Sequence, residues 1–508
     1  MKNSDVDGRL ACNDEQNDKL KDHCGVVGIY LSDHDPSASR MAYYGLQSLQ
    51  HRGQESTGIA VGDGEKIDHF RQMGLVADVY NKENLAALKG YIAIGHVLYS
   101  TSGKAAIENA QPFVSRSKLG PIAVAHNGSL VNTDPMKEFL EETGSTFTST
   151  SDSEVIIKLI AKNYKKGLER ALTDTIQLIK GSFALCVMTE KTLIGARDPN
   201  GIRPLCLGKL QNGWVLASES CAIDAIGGDL VRDIAPGEIV IINDDGVLSF
   251  NFGEKTSKKT CVFEYVYFAR PDSIMDGIPV LEARIKMGEV LARESGVAAD
   301  VVIGVPDSGL GSAMGYSKAS GIPYAMGIVK NKYIGRTFIA PSQEEREAMV
   351  FVKLNAVKSD IEGKRVVIID DSIVRGTTSR RLIQILRRAG AKEVHFRVSS
   401  PPVRFPCFFG IDIAVRADLI SAQHDTEEIC KAIGADSLAF ISMEGMIEAL
   451  QSCEYEDDKE TSLIPQNEKH DTVRNGGKSS SGASNCGYCQ GCFLGEYPMP
   501  MIGELGKR

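Results

Sequence analysis

Val366-Val367-Ile368-Ile369-Asp370-Asp371-Ser372-Ile373-Val374-Arg375-Gly376-Thr377-Thr378-Ser379 is the stretch that decides the fold of the second half of this chain. Four β-branched residues in succession make a buried strand. Two adjacent carboxylates sit where that strand emerges, at the C-terminal edge where open parallel sheets bind their ligands. Gly376 and the hydroxyl residues around it then lead into a helix, and the N–H groups of such a turn form a cradle for a phosphate. Asp-Asp pairs are common, and a plain βα turn with solvent-facing acids is the simpler alternative. The whole run, however, suits one ligand.

Outward from this run the same rhythm recurs. Val301 to Val305 reads as a strand, Gly311 to Ala319 as a helix closed by Gly321, and Pro323 to Val329 as a new apolar segment. Val366 to Ile369, Thr378 to Ala389 and Val394 to Val398 repeat the unit, which predicts βαβ units over a parallel sheet. Pro306-Asp307-Ser308-Gly309 follows the earlier strand, and a tight turn there with free N–H groups suits a pyrophosphate. Lys330, Lys332 and Arg336 lie close together in Lys330-Asn331-Lys332-Tyr333-Ile334-Gly335-Arg336. They read either as a lid that closes over negative charge and excludes water or as a solvated basic loop.

The first half has a different texture. From Cys24 to about Asn251, short apolar runs alternate with Gly, Asn and Asp turns: Gly25 to Tyr30, Tyr91 to His96, Ile122 to Ala125, Phe183 to Met188 and Val215 to Ala217. Ala38 to Gln50 and Asp152 to Lys165 read as amphipathic helices. Strands with interspersed helices predict an α+β layered domain. The chain of 508 residues is too long for one core, and its formal charge of -9 speaks against a general nucleic-acid or membrane surface. No apolar run approaches the roughly 20 residues that span a bilayer. Met1 to His23 lacks the apolar centre of a secretory signal, so a cytoplasmic protein with mostly reduced thiols is expected.

The acid-tipped run resembles the phosphoribosyl pyrophosphate motif of the type I phosphoribosyltransferases. That resemblance implies that Asp370 and Asp371 hold the ribose hydroxyls and, with Ser308, magnesium. It places Arg375, Gly376, Thr377, Thr378 and Ser379 around the 5-phosphate. Asp307 and Ser308 fall at the pyrophosphate, with Lys332 and Arg336 on the mobile loop. In the first half, Cys24-Gly25-Val26-Val27-Gly28-Ile29 alone would be a strand with a buried thiol. Together with His51-Arg52-Gly53-Gln54-Glu55-Ser56, His126-Asn127-Gly128 and Ser151-Asp152-Ser153-Glu154 it resembles the N-terminal-nucleophile, class II glutamine amidotransferases, layered αββα proteins. The resemblance implies a propeptide over residues 1–23 and a free Cys24 amine. A terminal amine with a pKa of about 7.7–8.0 can serve as base for its own thiol. Asn127 and Gly128 would stabilise the oxyanion, Arg52 would orient the nucleophile, and Asp152 would bind the substrate α-amine. One position departs from the pattern. Gly95-His96-Val97-Leu98-Tyr99 has Leu98 where the family carries an Arg that pairs with the glutamine α-carboxylate; Lys104 is the nearest candidate substitute.

Cys486-Gly487-Tyr488-Cys489-Gln490-Gly491-Cys492 is a double Cys-x-x-Cys, whose spacing suits a zinc ion, a cluster or a tail disulfide. With Phe493-Leu494-Gly495-Glu496-Tyr497-Pro498 it resembles the tail of the iron–sulfur branch of the amidophosphoribosyltransferase family. That resemblance implies a 4Fe-4S cluster on Cys261, Cys407, Cys489 and Cys492, with Cys486 as an extra thiol. Cys186, Cys206, Cys221 and Cys430 read as core thiols.

Neither half alone is decisive: the first suits glucosamine-phosphate synthase or asparagine synthetase, the second a nucleobase salvage transferase. Together they imply hydrolysis of glutamine and transfer of its ammonia to C1 of phosphoribosyl pyrophosphate, giving phosphoribosylamine. A mainly ammonia-dependent enzyme and a non-catalytic metabolite sensor are the rival readings. The expected organisation is propeptide 1–23, glutaminase domain 24–255, transferase domain 256–453, flexible linker 454–485 and cysteine-bearing tail 486–508. The family further implies a homotetramer inhibited by purine nucleotides.

Overall fold

A computed structural model describes residues 24–99, 106–117, 120–252, 257–331, 354–413, 415–454 and 486–501. The expected propeptide, Lys104, Lys332, Arg336, the boundary at 255/256 and the linker beyond Glu454 lie outside them.

The first half is built from two antiparallel sheets. One runs in the order Asp229–Asp233, Cys206–Leu210, Gly213–Ala217, Cys24–Leu31, Ile92–Leu98, Ser56–Gly62, Ile67–Met73. The other runs Gly246–Asn251, Glu238–Asn243, Leu193–Arg197, Gly181–Met188, Gly120–Leu130, Phe113–Ser117. The expected apolar runs are the middles of these strands. Val26, Ile94, Val215, Ala125, Cys186 and Val240 meet in one core because the two sheets are stacked on each other. Helix Ala38–Ser48 packs Ala42 and Leu46 on the first sheet. Helices Asp152–Asn163 and Leu168–Leu178 cover the second through Ile156, Ile160, Leu172 and Ile176. This is the predicted αββα layering.

In the second half, Val301–Gly304, Arg365–Asp370, Glu393–Val398 and Ser437–Phe440 form an all-parallel four-stranded sheet. Val366 and Ile368 face one core, with Leu382, Ile383 and Leu386 of helix Thr377–Arg388. Val367 and Ile369 face the other, with Met287 and Tyr316. Burial on both faces is why the strand is β-branched throughout rather than alternating. One expectation needs correcting. Pro323–Val329 joins the sheet only through a parallel bridge from Tyr324 to Val302, and Ile328–Lys330 turns away to pair antiparallel with Leu354–Ala356.

The halves interlock. Val131 and Ile202 of the first half pack in the core of the second. Arg197 donates to Asp276 at 2.7 and 3.0 Å, and Ser182 Oγ donates to the Phe409 carbonyl at 2.8 Å.

Candidate active site

Two centres take shape, one in each half. In the second half, Arg365–Asp370 lies beside Val301–Gly304, so the turns that follow both strands open at the same sheet edge. Ser308 Oγ donates to Asp371 Oδ2, Ser372 Oγ donates to Asp371 Oδ1 at 2.5 Å, and the Asp371 N–H donates to Asp370 Oδ1 at 3.0 Å. Both carboxylates are buried. Gly309 packs its α-carbon on the Ile369 carbonyl, leaving no room for a side chain, which is how the Asp307–Ser308 turn comes against the acid pair. Gly376 at φ +80° precedes helix Thr377–Arg388, so Thr377, Thr378 and Ser379 form its first turn. Arg375 reaches Asp418 at 3.3 Å, and Lys330 Nζ donates to Asp307 at 2.7 Å.

In the first half, Cys24 begins the strand at the centre of its sheet, 4% exposed and directly opposite Leu98. The segment His126-Asn127-Gly128 runs along the facing sheet. Asn127 is fully buried, and among the described residues neither its Nδ2 nor its Oδ1 has a hydrogen-bond partner. Gly128 has a φ of +145° and lies hard against the Ser182 carbonyl, so no other residue fits. Asp152 opens helix Asp152–Asn163; its Oδ2 accepts from the Leu130 N–H at 2.9 Å, and its Oδ1 is 3.6 Å from His126 Nδ1. Burial disfavours its charge, yet His126 and the Leu130 N–H together hold the carboxyl below the usual carboxylate range.

Supporting groups complete the centre. His126 is held by Ser153 Oγ at 3.0 Å and, through its N–H, by Gln111 at 2.7 Å. His96 Nε2 donates to the His126 carbonyl at 3.0 Å, and burial pushes the His96 imidazole down to about 3. Arg52 is buried between Glu219 and Glu264. Neither carboxylate had been singled out from sequence, although Glu264 stands conspicuously inside the apolar run Val262-Phe263-Glu264-Tyr265-Val266.

The three segments that carry the four cysteines pack together, although among the described residues no group of three or more His, Cys, Asp or Glu is set to hold a metal ion. Thr260–Cys261 pairs in parallel with Tyr488–Cys489, setting Cys261 beside Cys489. Arg404 and Phe405 donate backbone N–H bonds to the Cys492 carbonyl at 3.0 Å, fixing the tail against the segment before Cys407. Phe493 stacks on Phe263 with ring centroids 5.3 Å apart. Burial and the Glu264 carboxylate push Cys261 well up, burial and the neighbouring thiols push Cys492 well up, and burial takes Cys489 to about 12. Cys486 is held instead by Gln490 Nε2 at 2.8 Å. Cys186, Cys206 and Cys221 are buried as expected; Cys430 is half-buried, its thiol donating to the Ala435 carbonyl at 3.3 Å.

Residues 100–225 match a glutamine amidotransferase domain and residues 288–400 a phosphoribosyl transferase domain. The amidophosphoribosyltransferase of Archaeoglobus fulgidus is 48% identical over 483 residues, spanning 95% of this chain and 99% of its own. The chain belongs to the amidophosphoribosyltransferase family. The Bacillus subtilis member is 46% identical over 480 residues, 94% of each chain. A solved structure of the B. subtilis glutamine phosphoribosylpyrophosphate amidotransferase, in complex with ADP and GMP, superposes with a TM-score of 0.83, covering 94% of this chain and 98% of that one. A second, described as the allosteric regulatory enzyme of purine biosynthesis, gives 0.84 over 94% and 97%. The protein is therefore an enzyme, a glutamine amidotransferase joined to a phosphoribosyltransferase. Among the described residues no helix is long and apolar enough to cross a membrane.

Proposed function

We propose that this amidophosphoribosyltransferase releases ammonia from glutamine at Cys24 and adds it to C1 of phosphoribosyl pyrophosphate, yielding phosphoribosylamine, pyrophosphate and glutamate. Removal of residues 1–23 frees the Cys24 amine. That amine takes the thiol proton, and the thiolate attacks the side-chain amide carbon of glutamine. Asn127 Nδ2 and the Gly128 N–H donate to the oxyanion. The amine returns its proton to the departing ammonia, and water resolves the γ-glutamyl thioester. Asp152, ionised at neutral pH, receives the substrate α-amine, and Arg52 fixes the strand that carries the nucleophile.

At the second centre, Asp370 and Asp371 take the ribose hydroxyls, and the 375–379 turn with its helix N-terminus binds the 5-phosphate. The Asp307–Ser308 turn meets the pyrophosphate, to which Lys332 and Arg336 bring positive charge. Ser308, Asp370 and Asp371 offer an oxygen-only donor set suited to magnesium, which neutralises charge on the leaving pyrophosphate when bound. Cys261, Cys407, Cys489 and Cys492 offer four thiols whose chemistry suits a 4Fe-4S cluster, which would staple the cysteine-bearing tail onto the transferase half. The domain limits 24–255 and 256–453 follow from the same reading. A homotetramer in a reducing cytoplasm, inhibited by purine nucleotides, fits the family and the nucleotide complex of the B. subtilis relative.

The amide of Asn127, buried and without a hydrogen-bond partner among the described residues, is the single observation that carries the glutaminase assignment, since an oxyanion would supply a partner. Leu98, directly opposite Cys24, favours a second reading in which free ammonia is the main nitrogen donor. Pyrophosphate release with glutamine and with ammonium, at fixed phosphoribosyl pyrophosphate and magnesium, separates the two. Protein with a sequenced Cys24 terminus that released none from either donor would refute both.

A further inference from the structure

Arg52 stands at the junction of the two halves. Its stem lies against the residue after the nucleophile: a β-carbon at Gly25 would be 3.4 Å from Arg52 Cδ. The adjoining Gly53 presses on the backbone of Val97 and Leu98, the strand partner of Cys24. The guanidinium points the other way, into a set of charges with no exposure to solvent. Arg52 Nε donates to Glu219 Oε1, while its terminal nitrogens donate to Glu264 at 2.7 and 3.3 Å in a two-pronged pair. Glu264 also accepts from Arg203 at 3.1 Å, and Arg203 in turn donates to the Gly410 carbonyl.

Glu264 belongs to the second half. It opens the short helical segment Glu264–Phe268, which Arg284 holds from both ends, donating to the carbonyls of Tyr265 at 2.8 Å and Ala269 at 2.7 Å. Arg284 packs in turn on Gly311, in the helix that follows the Asp307–Ser308 turn. Glu219 is likewise fixed from the second half, by the Arg270 N–H at 2.9 Å and Ser273 Oγ at 2.7 Å. Two buried guanidiniums are thus balanced by two buried carboxylates. Neutralising Glu264 leaves Glu219 as the one charged carboxylate for both guanidiniums, so Arg52 loses its two-pronged anchor and shifts toward Glu219.

We propose that Glu264, a residue of the transferase half, is a positioning residue of the glutaminase: it holds Arg52 against the strand that presents Cys24, so that the glutaminase centre is complete only when the second half is docked. The inference rests on Cys24 being the nucleophile.

The test uses the full-length enzyme and the isosteric variant Glu264→Gln. The expected result is a fall of at least tenfold in kcat with glutamine, little change in glutamine KM, and ammonia-driven pyrophosphate release within twofold of the parent. Alkylation of Cys24 by a diazoketone analogue of glutamine should slow in proportion to kcat. Glutamine turnover within twofold of the parent would overturn the proposal. So would an equal loss with both nitrogen donors, which marks a merely structural role. Glu264→Asp, which keeps the charge but withdraws it by one methylene, carries the same comparison should Glu264→Gln not fold, with a smaller selective loss expected. Cys24→Ala is run alongside: if it keeps glutamine turnover, the nucleophile assignment has failed rather than the role of Glu264.

Discussion

Asn127→Ala should abolish most glutamine turnover without weakening the fold, a combination that an ordinary core asparagine does not produce. A buried asparagine with its hydrogen bonds made stabilises the protein, and its removal strands the former partners at about 1–3 kcal/mol each. Asn127 is the reverse case: both amide atoms are buried and unpartnered among the described residues, so the folded protein already bears that cost. Alanine deletes two unsatisfied groups and leaves a small cavity. The net effect is from about zero to 2 kcal/mol in favour of folding, or a rise of up to ~4–8 °C in the melting temperature of a unit of 150–250 residues. Catalysis moves in the opposite direction. Loss of one preorganised oxyanion donor costs about 2.7–4 kcal/mol of transition-state stabilisation, a 10²–10³-fold drop in kcat.

The assay pairs calorimetry with pyrophosphate release from both nitrogen donors. Glutamine-driven kcat should fall by that factor while ammonia-driven turnover stays within twofold, because the second centre contains no part of Asn127. A melting temperature several degrees below the parent, together with unchanged glutamine turnover, would refute the reasoning. Asn127 would then be a packing residue whose partner is supplied from elsewhere.

Three further outcomes follow from particular groups. His96 is buried with its imidazole held down to about 3, so as pH falls below the unfolded value of about 6.5 the unfolded chain takes up a proton that the native protein refuses. Stability should therefore drop by roughly 2 kcal/mol between pH 7 and 5; His96→Gln should flatten that slope in urea titrations, and an unchanged slope would count against it. Leu98→Arg should lower the glutamine KM roughly 10- to 150-fold, the worth of one charge-assisted pair, and leave ammonia kinetics alone; no change would remove Leu98 from the substrate site. Cys489→Ser or Cys492→Ser should lose iron and sulfide on elemental analysis and expose the tail to limited proteolysis. Cys486→Ser, whose thiol is engaged by Gln490, should retain both.

What could be read in advance depended on whether a site is written in one place. The acid-tipped strand was legible because strand, carboxylates and phosphate turn are consecutive, so Val366 to Ser379 states its own geometry. The glutaminase layers were legible as apolar runs, and Asp152 falls at its helix start because Ser151 caps the next turn, accepting from the Ser153 N–H at 3.2 Å. The bend of Ile328–Lys330 out of the parallel sheet was not legible. Apolar character marks a strand but says nothing of its neighbour, and the partner Leu354–Ala356 lies more than twenty residues on. Glu219 and Glu264 were missed for a related reason: a lone carboxylate has no periodicity, and its meaning depends on an arginine about 170 to 210 residues away.

The carboxylates Glu219 and Glu264 lie where the two chemistries are joined. If the halves met only through apolar surface, Val131 and Ile202 would suffice, and each centre would keep its shape independently of the other. Charges buried at a junction are costly unless every partner is in register, so they make docking all-or-none rather than approximate. Arg52 and Arg203 reach Glu264 only when the second half is seated, and Arg197 finds Asp276 under the same condition. A reaction that frees ammonia in one half for use in the other gains from this arrangement: the thiol that liberates ammonia is correctly set only in a molecule whose acceptor site is also assembled.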